Sequence, residues 1–342
     1  MYVVVESIVI TLITLGSALA FALLFFLVSY IVLAVVLDAN FHNRGDGSSC
    51  LKYFVASDFD GLNNYPVSFK SNKGQILRGY LYHYQDITNY KALVIFNHGI
   101  GSGHLAYTNI IYELAKAGYL VLAYDNTGCM LSEGKTMKSM IQGLVDIDYA
   151  LDYVEKDSTL NKYKIYCVGH SMGGYISLNS LNLKKHHVDK VVSLAGFDTQ
   201  TKIVSTLKRK RRQYFIEPMV FFHDFVHFGK YATYSSHRAF KNTNSQVYYI
   251  QGMLDHTVLP QYNGELFKKI SSNRENIKVE LIPNKSHNCY LSPRGEAYQI
   301  HMAKDYHIFT DPILDKNVSI DYNLITELDS DLMKQIINFL DK

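Results

Sequence analysis

The sequence has few of the features that signal a metal site or a nucleic-acid-binding surface. It contains only 4 cysteines in 342 residues, and their spacing forms neither a CxxC pair nor a zinc-ligand pattern. The formal net charge is only +3, which does not suggest a general role in nucleic-acid binding. Tryptophan is absent, but its absence excludes no class of function. We therefore expect four reduced thiols, no metal and no nucleic-acid partner.

Charge is also missing from the N-terminal segment. The run from Ile8 to Leu37 has no charged residue, and it exceeds the roughly 20 residues that cross a bilayer as a helix. No Lys or Arg precedes it, and the run is longer than the apolar core of a signal peptide, about 7–15 residues. Ala18-Leu19-Ala20 resembles a cleavage site, but the apolar run continues past it. The sequence predicts an uncleaved, single-pass transmembrane anchor over residues 1–37, with its extra length absorbed by tilt.

Polar residues follow this anchor. Residues 38–56 are expected to form a tether, because the stretch from Asp38 to Lys52 is rich in Asn, Gly, Ser and Asp. Arg44 and Lys52 come after the anchor and nothing basic comes before it. The positive-inside tendency then places the C-terminal domain in the cytoplasm. Free thiols agree with such a reducing compartment.

Beyond the tether, short apolar runs alternate with helical patterns. The predicted strands are Val67–Phe69, Leu77–His83, Leu93–Phe96, Tyr119–Tyr124, Tyr163–Val168, Val188–Leu194, Gln246–Gly252 and Ile277–Ile282. The predicted helices are His104–Ala117, Lys138–Val154, Tyr175–Leu183, Gln261–Ser271 and Ser330–Leu340. This alternation predicts an α/β domain over residues 57–342, with a mainly parallel central sheet and helices on both faces. An insertion over about 197–241 and an irregular excursion from Ser292 to Asn323 interrupt the pattern.

The stretch Gly169-His170-Ser171-Met172-Gly173-Gly174 joins a predicted strand to a predicted helix. A Gly-x-Ser-x-Gly sequence in that position is a nucleophile elbow, a tight turn that exposes the serine hydroxyl above the sheet. Glycines flank the serine because larger side chains would collide with the neighbouring strand and helix. Ser171 is therefore the candidate nucleophile.

Such a serine needs a base, and the base needs a carboxylate that orients it. In this arrangement the acid and the histidine follow the serine along the chain, each on a loop after a later strand. Asp255 follows the predicted strand Gln246–Gly252, and His287 follows Ile277–Ile282. Both lie at the sheet edge where ligands bind in open α/β sheets. We assign His287 as general base and then acid, and Asp255 as the residue that orients its imidazole.

Other residues compete for these roles. Asp198 is an alternative acid, since it follows the predicted strand that ends at Leu194. His301 and His307 also come after Asp255 in the chain, but neither directly follows a predicted strand. These positions stay open as alternatives.

Two backbone N–H groups should form an oxyanion hole. One belongs to Met172, which follows the nucleophile, and the other comes from the loop after the strand Leu93–Phe96. Ile100 is the expected donor in that loop. His98 lies in the same loop, and we expect it to brace the loop and not to act as a base.

Together these motifs resemble the α/β-hydrolase superfamily. The matching pieces are Asn97-His98-Gly99, Asp125-Asn126-Thr127-Gly128, Gly169 to Gly174, Gly252-Met253-Leu254-Asp255 and Ser286-His287. Within the superfamily the chain is similar to the serine aminopeptidase, lysophospholipase and monoacylglycerol lipase-like group. This resemblance implies hydrolysis of carboxylic esters or, less often, peptides, without a cofactor.

One loop departs from the superfamily pattern. The loop after the strand ending at Tyr124 usually reads Asp-x-Arg-Gly-x-Gly-x-Ser. Thr127 stands here in place of the arginine, and Met130 replaces a glycine. Because this loop supports the site and breaks no bond, activity is still expected.

The resemblance implies that the insertion over 197–241 forms a small helical lid. Glu217-Pro218 can start a helix and Gly229 can end it. Its apolar face would line an acyl-binding cleft and would consist of Phe221, Phe222, Phe225 and Phe228. The basic run 208–212 either contacts anionic lipid headgroups or forms a solvated turn.

The leading hypothesis from the sequence is a membrane-tethered serine hydrolase that cleaves small-molecule or lipid esters through an acyl-enzyme. A peptidase or amidase with the same triad is a second hypothesis. It would need an acidic group that holds a substrate amine, for which Glu217 or Asp224 could serve. A catalytically silent, hydrolase-like interaction module is the third, and the complete set of triad candidates argues against it.

Overall fold

The computed structural model describes residues 2–40, 44–47, 52–87, 89–206, 213–306 and 319–342. Cys50, the basic run 208–212 and His307 lie outside these ranges. Within them, the chain forms one long N-terminal helix followed by a sheet with helices packed against it.

Eight strands of the described chain form one sheet. They are β1 (Leu62–Lys70), β2 (Ile76–Tyr84), β3 (Leu93–Asn97), β4 (Leu120–Tyr124), β5 (Ile165–His170), β6 (Lys190–Leu194), β7 (Gln246–Gly252) and β8 (Ile277–Ile282). Their order across the sheet is β1-β2-β4-β3-β5-β6-β7-β8. The pairs β1–β2 and β2–β4 are antiparallel, and all other neighbours are parallel. The prediction of a mainly parallel sheet is confirmed.

The helices connect these strands and follow the last one. They are α1 (Tyr2–Asn40), α2 (Thr108–Lys116), α3 (Ile141–Lys156), α4 (Met172–Ser180), α5 (Gln200–Thr206), α6 (Gln213–Phe228), α7 (Ser236–Asn242), α8 (Gly264–Ile270), α9 (Pro293–Asp305), α10 (Tyr322–Ile325) and α11 (Ser330–Asp341). Short 3-10 helices precede β1, α2 and α8 and follow α6. Helices α5, α6 and α7 all lie in the insertion between β6 and β7.

The sheet is covered by apolar side chains on both faces. Leu93 and Ile95 of β3 belong to one buried cluster, whereas Val94 and Phe96 belong to the cluster on the opposite face. Successive strand residues point to opposite faces of the sheet, so a run of consecutive apolar residues in a strand indicates burial on both faces. The continuous apolar run of β3 therefore places it at the centre of the sheet.

Strand β1 and the segment after Ser292 differ from the sequence prediction. Strand β1 extends from Leu62 to Lys70, well beyond the predicted Val67–Phe69. Most of its residues are exposed or half-buried, because β1 lies at the edge of the sheet. The N-terminal half of β1 is therefore largely polar and lacks the apolar run from which the other strands were predicted. The predicted irregular excursion from Ser292 contains helix α9. The Ser292 hydroxyl accepts a 2.9 Å hydrogen bond from the Gly295 N–H and caps this helix.

Helix α1 carries the predicted membrane anchor. Its segment Val4–Leu37 is long and apolar enough to cross a bilayer. Most of its side chains are exposed, which suits contact with lipid. Near its C-terminal end, the Tyr30 ring lies 5.3 Å, centre to centre, from the Phe222 ring of α6. The helix is thus joined to the insertion of the globular domain.

Part of the predicted tether is folded onto the domain. The Arg44 guanidinium donates hydrogen bonds to the carbonyl oxygens of Gly134 at 2.6 Å and Met130 at 2.7 Å. The Gly45 N–H donates to the Gly128 carbonyl at 2.9 Å. Residues 44–47 therefore hold the loop after β4, a contact that the polar composition of the segment did not predict.

Candidate active site

Ser171 occupies a strained turn between β5 and α4. Its φ is 57° and its ψ is −117°, a conformation that L residues rarely adopt. The turn also requires close backbone approach, since a Cβ on Gly173 would lie 1.9 Å from the Asn97 carbonyl oxygen. The sequence prediction of a nucleophile elbow is matched by this geometry, which lifts the Ser171 hydroxyl above the carboxyl ends of the strands.

The structure brings the three predicted site side chains together. The Ser171 Oγ lies 2.9 Å from His287 Nε2, and His287 Nδ1 lies 2.9 Å from Asp255 Oδ2. A carboxylate can only accept hydrogen bonds, so Nδ1–H donates to Asp255 and the bare Nε2 accepts from the serine hydroxyl. Nε2 is therefore placed to take a proton from Ser171.

The Asp255 carboxylate is buried and surrounded by hydrogen-bond donors. Besides the imidazole, Oδ1 accepts hydrogen bonds from the Thr257 and Val258 N–H groups at 2.8 Å each. Burial raises the pKa of Asp255, but the bond from His287 and these backbone N–H groups outweigh it, and the net pKa is lowered. The group is thus an anion at neutral pH that can stabilise an imidazolium.

The competing candidates lie in other networks. The Asp198 carboxylate accepts hydrogen bonds at 2.6 Å from Lys202 Nζ and from the Ser235 hydroxyl. His301, on α9, pairs with Asp305 at 2.6 Å. Neither residue takes part in the hydrogen-bonded line through Ser171.

The predicted oxyanion donors flank the serine. Met172 is the first residue of α4, and the N–H groups in the first turn of a helix have no acceptor within that helix. Ile100 lies in the loop after β3 and lines the cavity above Ser171. Both N–H groups are thus in elements next to the serine, and their role stays a prediction.

His98 braces the loop that carries Ile100. Its Nδ1–H donates to the Gly99 carbonyl at 2.7 Å, and its Nε2 accepts from the Asn126 N–H at 3.0 Å. Burial lowers the pKa of this imidazole, which keeps it neutral and able to accept. His98 thereby ties the loop after β3 to the loop after β4.

His170 is a contributor that the sequence did not reveal. Its Nε2 donates to the His287 carbonyl at 3.0 Å, and its Nδ1 accepts from the Tyr107 hydroxyl at 3.0 Å. Burial and the neighbouring His287 lower the pKa of His170 to about 3. A neutral His170 therefore fixes the backbone of His287 to the elbow, and only the place of His170 beside Ser171 in the motif hinted at this.

Glu296 holds the same loop from the other side. Its Oε1 accepts hydrogen bonds from both the N–H and the hydroxyl of Ser286 at 2.5 Å. Glu296 is buried and belongs to α9, the helix that the sequence pattern failed to predict. The residue before His287 is thus clamped by a carboxylate that lies ten positions away.

A cavity of about 290 Å³ opens above Ser171. The described residues that line it come mainly from the loops after β3 and β8: Lys52, Gly99, Ile100, Ser102, Ala106, Tyr107, Asn109, His170, Ser171, Thr257, His287, Asn288, Tyr290, Leu291, Gln299, Ile325 and Thr326. The cavity is large enough for a small ester, and both Ser171 and His287 border it.

The phenylalanines of the insertion do not line this cavity among the described residues. Phe221, Phe222 and Phe225 of α6 are exposed, whereas Phe228 is buried, so the four rings do not share one lining face. Helix α6 also starts at Gln213, with Pro218 inside it, and not at Glu217-Pro218. The expected acyl-lining face is therefore wrong for this conformation, in which three of the four rings are exposed and one of them, Phe222, contacts Tyr30 of α1.

One group of side chains in the described part of the chain could geometrically hold a cation. It consists of Asp152, Glu155 and His186. Lys185 Nζ lies 3.1 Å from Asp152, and His186 Nδ1 lies 2.8 Å from Glu155. These ion pairs explain why the acidic and imidazole groups lie close together without the need for a bound cation. None of the three residues lines the cavity above Ser171.

The strand order, the elbow after β5 and the later acid and histidine loops are those of the α/β-hydrolase fold. Residues 88–219 match the family model described as Serine aminopeptidase, S33. That segment contains Ser171 and ends before Asp255 and His287.

Curated proteins with similar sequences have lipase names. The chain is 37% identical over 90 residues to monoglyceride lipase from Mus musculus, covering 26% of this chain and 29% of that one. It is 26% identical over 143 residues to a probable lysophospholipase L2 from Haemophilus influenzae, covering 40% and 44%. The alignments thus span less than half the length of these relatives.

Solved structures of esterases share the fold. An esterase from Pyrococcus furiosus superposes with a TM-score of 0.57 at 14% identity, over 86% of this chain and 98% of that one. Brefeldin A esterase, described as a bacterial homologue of human hormone sensitive lipase, gives a TM-score of 0.53 at 14% identity, over 76% and 78%. At these identities the similarity establishes the fold.

Proposed function

We propose that this protein is a membrane-tethered serine hydrolase that cleaves carboxylic esters, including lipid-derived esters, through an acyl-enzyme. The observation that carries the proposal is the hydrogen-bonded line from Ser171 through His287 to Asp255, with both distances 2.9 Å. This line ends in a cavity that can admit a substrate carbonyl.

In the acylation step, Ser171 Oγ bonds to the ester carbonyl carbon while its proton moves to His287 Nε2. The N–H groups of Ile100 and Met172 receive the oxyanion, and each such donor is worth roughly 2.7–4 kcal/mol in the transition state. The tetrahedral intermediate collapses, the bond to the alcohol oxygen breaks, and the imidazolium gives its proton to the leaving alkoxide. The acyl group stays on Ser171.

In the deacylation step, a water molecule takes the place of the alcohol. His287 Nε2 accepts a proton from this water as its oxygen bonds to the acyl carbon. The bond to Ser171 Oγ then breaks, and the serine oxygen regains its proton from the imidazolium. The carboxylic acid is released and the starting hydrogen bonds re-form.

Lipid-derived esters are supported by the N-terminal helix and by the similar proteins. Helix α1 has the length and composition of a membrane span, which would hold the cavity close to lipids. Two of the similar proteins have names that refer to monoglycerides and lysophospholipids. Both observations favour an acyl ester of a small alcohol as substrate.

The peptidase alternative lacks a group that would hold a substrate amine. Among the described residues that line the cavity there is no Asp or Glu. Asp224 is fully buried, where it accepts hydrogen bonds at 3.2 Å from Ser139 and Gln200, and burial raises its pKa. Glu217 does not line the cavity either.

Rapid-mixing kinetics with a p-nitrophenyl acyl ester test the proposal. We expect a burst of p-nitrophenol equal to the enzyme concentration when deacylation is slower than acylation, and none with Ser171→Ala. Ser272→Ala, at an exposed serine on the molecular surface, should keep the burst and the steady-state rate. Turnover of aminoacyl anilides without ester turnover would favour the peptidase alternative, and a folded protein inactive on both substrates would favour the silent module.

A further inference from the structure

One lysine of the segment between α1 and β1 reaches the cavity above Ser171. Lys52 lines this cavity, although it belongs to the predicted tether. Its Nζ lies 5.6 Å from the centre of the Phe54 ring, a distance that allows a cation–π contact. The Phe54 carbonyl accepts a 2.9 Å hydrogen bond from the Thr108 hydroxyl, so the backbone beside Lys52 is fixed to α2.

Lys52 dominates the charge of the cavity. With histidines neutral, it is the one charged residue among the described residues that line the cavity. The nearby Asp255 carboxylate is buried behind the imidazole and pairs with it at 2.9 Å. The ion pairs found among the described residues do not include Lys52. A substrate therefore meets one ammonium group and no carboxylate at the wall of the cavity.

The neutral polar residues of the cavity would assist an anion. Asn109, Asn288 and Gln299 line the same space, and their amide groups can donate hydrogen bonds to a carboxylate or a phosphate. An ammonium in a concave site with apolar walls attracts such anions more strongly than one on an open surface. The cavity as a whole thus favours a substrate with a negative charge.

We propose that Lys52 is a specificity-determining residue that selects esters carrying an anionic group, either a carboxylate or a phosphate. This inference rests on the proposed ester hydrolysis at Ser171. The anionic group can belong to the acyl part or to the alcohol part of the ester. Lys52 holds it while the ester carbonyl lies at Ser171, and no covalent step involves the lysine.

Two matched pairs of short-chain esters test this assignment with the full-length protein in a neutral detergent. The first pair is hexanoylglycerol phosphate against hexanoylglycerol, which places the charge on the alcohol side. The second pair is the p-nitrophenyl monoester of adipate against p-nitrophenyl hexanoate, which places it on the acyl side. The variants are Lys52→Met and Lys52→Arg, and Lys156→Met serves as the control at a lysine that is 79% exposed on α3.

Lys52→Met should lower kcat/KM for the anionic ester of at least one pair by about tenfold, because a charge-assisted hydrogen bond is lost. The neutral ester of that pair should change by less than about twofold, and Lys52→Arg should keep the preference. High salt should weaken the preference of the wild type only in part, since salt screens a half-buried cation less than an exposed one. Lys156→Met should behave as the wild type.

Equal effects of Lys52→Met on the anionic and neutral esters of both pairs would overturn the inference, and so would no effect on either. Failure of anion selection and failure of ester hydrolysis give different results in this experiment. If the wild type hydrolyses the esters through Ser171 and Lys52→Met leaves kcat/KM for both anionic esters unchanged, the specificity inference alone fails. If the wild type hydrolyses none of the four esters, the proposed function fails with it.

Discussion

At the scale of single residues, the central question is which carboxylate orients the base. We expect Asp255→Asn to lower kcat/KM by about 10³- to 10⁴-fold, because an amide in that position favours the wrong imidazole tautomer. The fold should survive, since the amide oxygen can still accept from the Thr257 and Val258 N–H groups that now bond to Asp255. Steady-state kinetics with a p-nitrophenyl ester, together with a thermal melt, measure both effects.

Asp198→Asn is the matched control for that substitution. Asp198 is also a buried aspartate after a parallel strand, but its partners are Lys202 and Ser235. Its substitution should lower the melting temperature and leave kcat/KM of the remaining folded protein within a few-fold of the wild type. If Asp198→Asn abolished turnover while Asp255→Asn did not, the assigned acid would be wrong.

His170 should make stability depend on pH. Its pKa is about 3 in the folded protein and about 6.5 in an unfolded chain. Between these values the unfolded state binds more protons, so the free energy of unfolding falls as the pH falls below about 6.5. Between pH 7 and pH 5 the contribution of His170 to this loss is about 2 kcal/mol.

His170→Gln removes this titration and keeps an amide donor near the His287 carbonyl. Urea unfolding at pH 7 and pH 5 should therefore show a smaller loss of stability for the variant than for the wild type, by about 2 kcal/mol. Only the change with pH is compared, so a constant loss of stability in the variant does not matter. Parallel losses in the two proteins would show that His170 is not held neutral by the fold.

At the scale of elements, the docked part of the tether is the least expected feature. Arg44 follows α1 by four positions, and its guanidinium donates to carbonyl groups of the loop after β4. This loop contains Met130, which has a φ of 38° and stands where the superfamily pattern has a glycine. The Arg44 contacts stabilise a loop that carries this strained residue.

We expect Arg44→Met to lower the free energy of unfolding by about 1–3 kcal/mol, because carbonyl groups lose a charged donor. Arg238→Met, at an exposed arginine of α7, should change stability by less than about 0.5 kcal/mol. Chemical denaturation of the two variants in the same detergent makes the comparison. Equal stabilities would show that residues 44–47 do not support the domain.

The elements that the sequence predicted well are those with a local signal. Strand β3 was predictable because Leu93–Phe96 are all apolar. The turn at Ser171 was predictable because the elbow motif is contiguous in the sequence. The positions of Asp255 and His287 beside Ser171 were predictable because chain order fixes the strands that they follow. The Arg44 contacts were missed because they join residues 86 and 90 positions apart in the chain, and no periodic pattern encodes such a contact. The Glu296 contact was missed because the helix that carries Glu296, α9, was itself not predicted. The start of α6 was predicted too late in the chain, at Glu217-Pro218 and not at Gln213. The rule that places proline in the first turn of a helix does not forbid an earlier start.

At the scale of the whole molecule, α1 should decide where the protein resides. The full-length chain should stay with the membrane fraction after alkaline carbonate washing, and a chain without residues 1–37 should not. The sidedness expected from Arg44 and Lys52 places Cys50 on the cytoplasmic side. A membrane-impermeant maleimide should then label Cys50 in intact cells only after permeabilisation.

The other thiols should not obscure that signal. Cys129, Cys167 and Cys289 are buried and free, and burial raises the pKa of each to about 12. Their thiolate fractions at neutral pH are therefore very small, so they react slowly in the folded protein. Labelling of intact cells that disappears in Cys50→Ser would reverse the proposed orientation.

The central claim of this account is that Ser171 is a nucleophile activated by His287. Peptide mapping after reaction with a fluorophosphonate probe tests it most directly, because the probe bonds covalently to an activated serine. We predict one adduct, on the peptide that contains Ser171, and its loss in His287→Ala. Folded wild-type protein without an adduct, or with an adduct on another serine, would contradict the account.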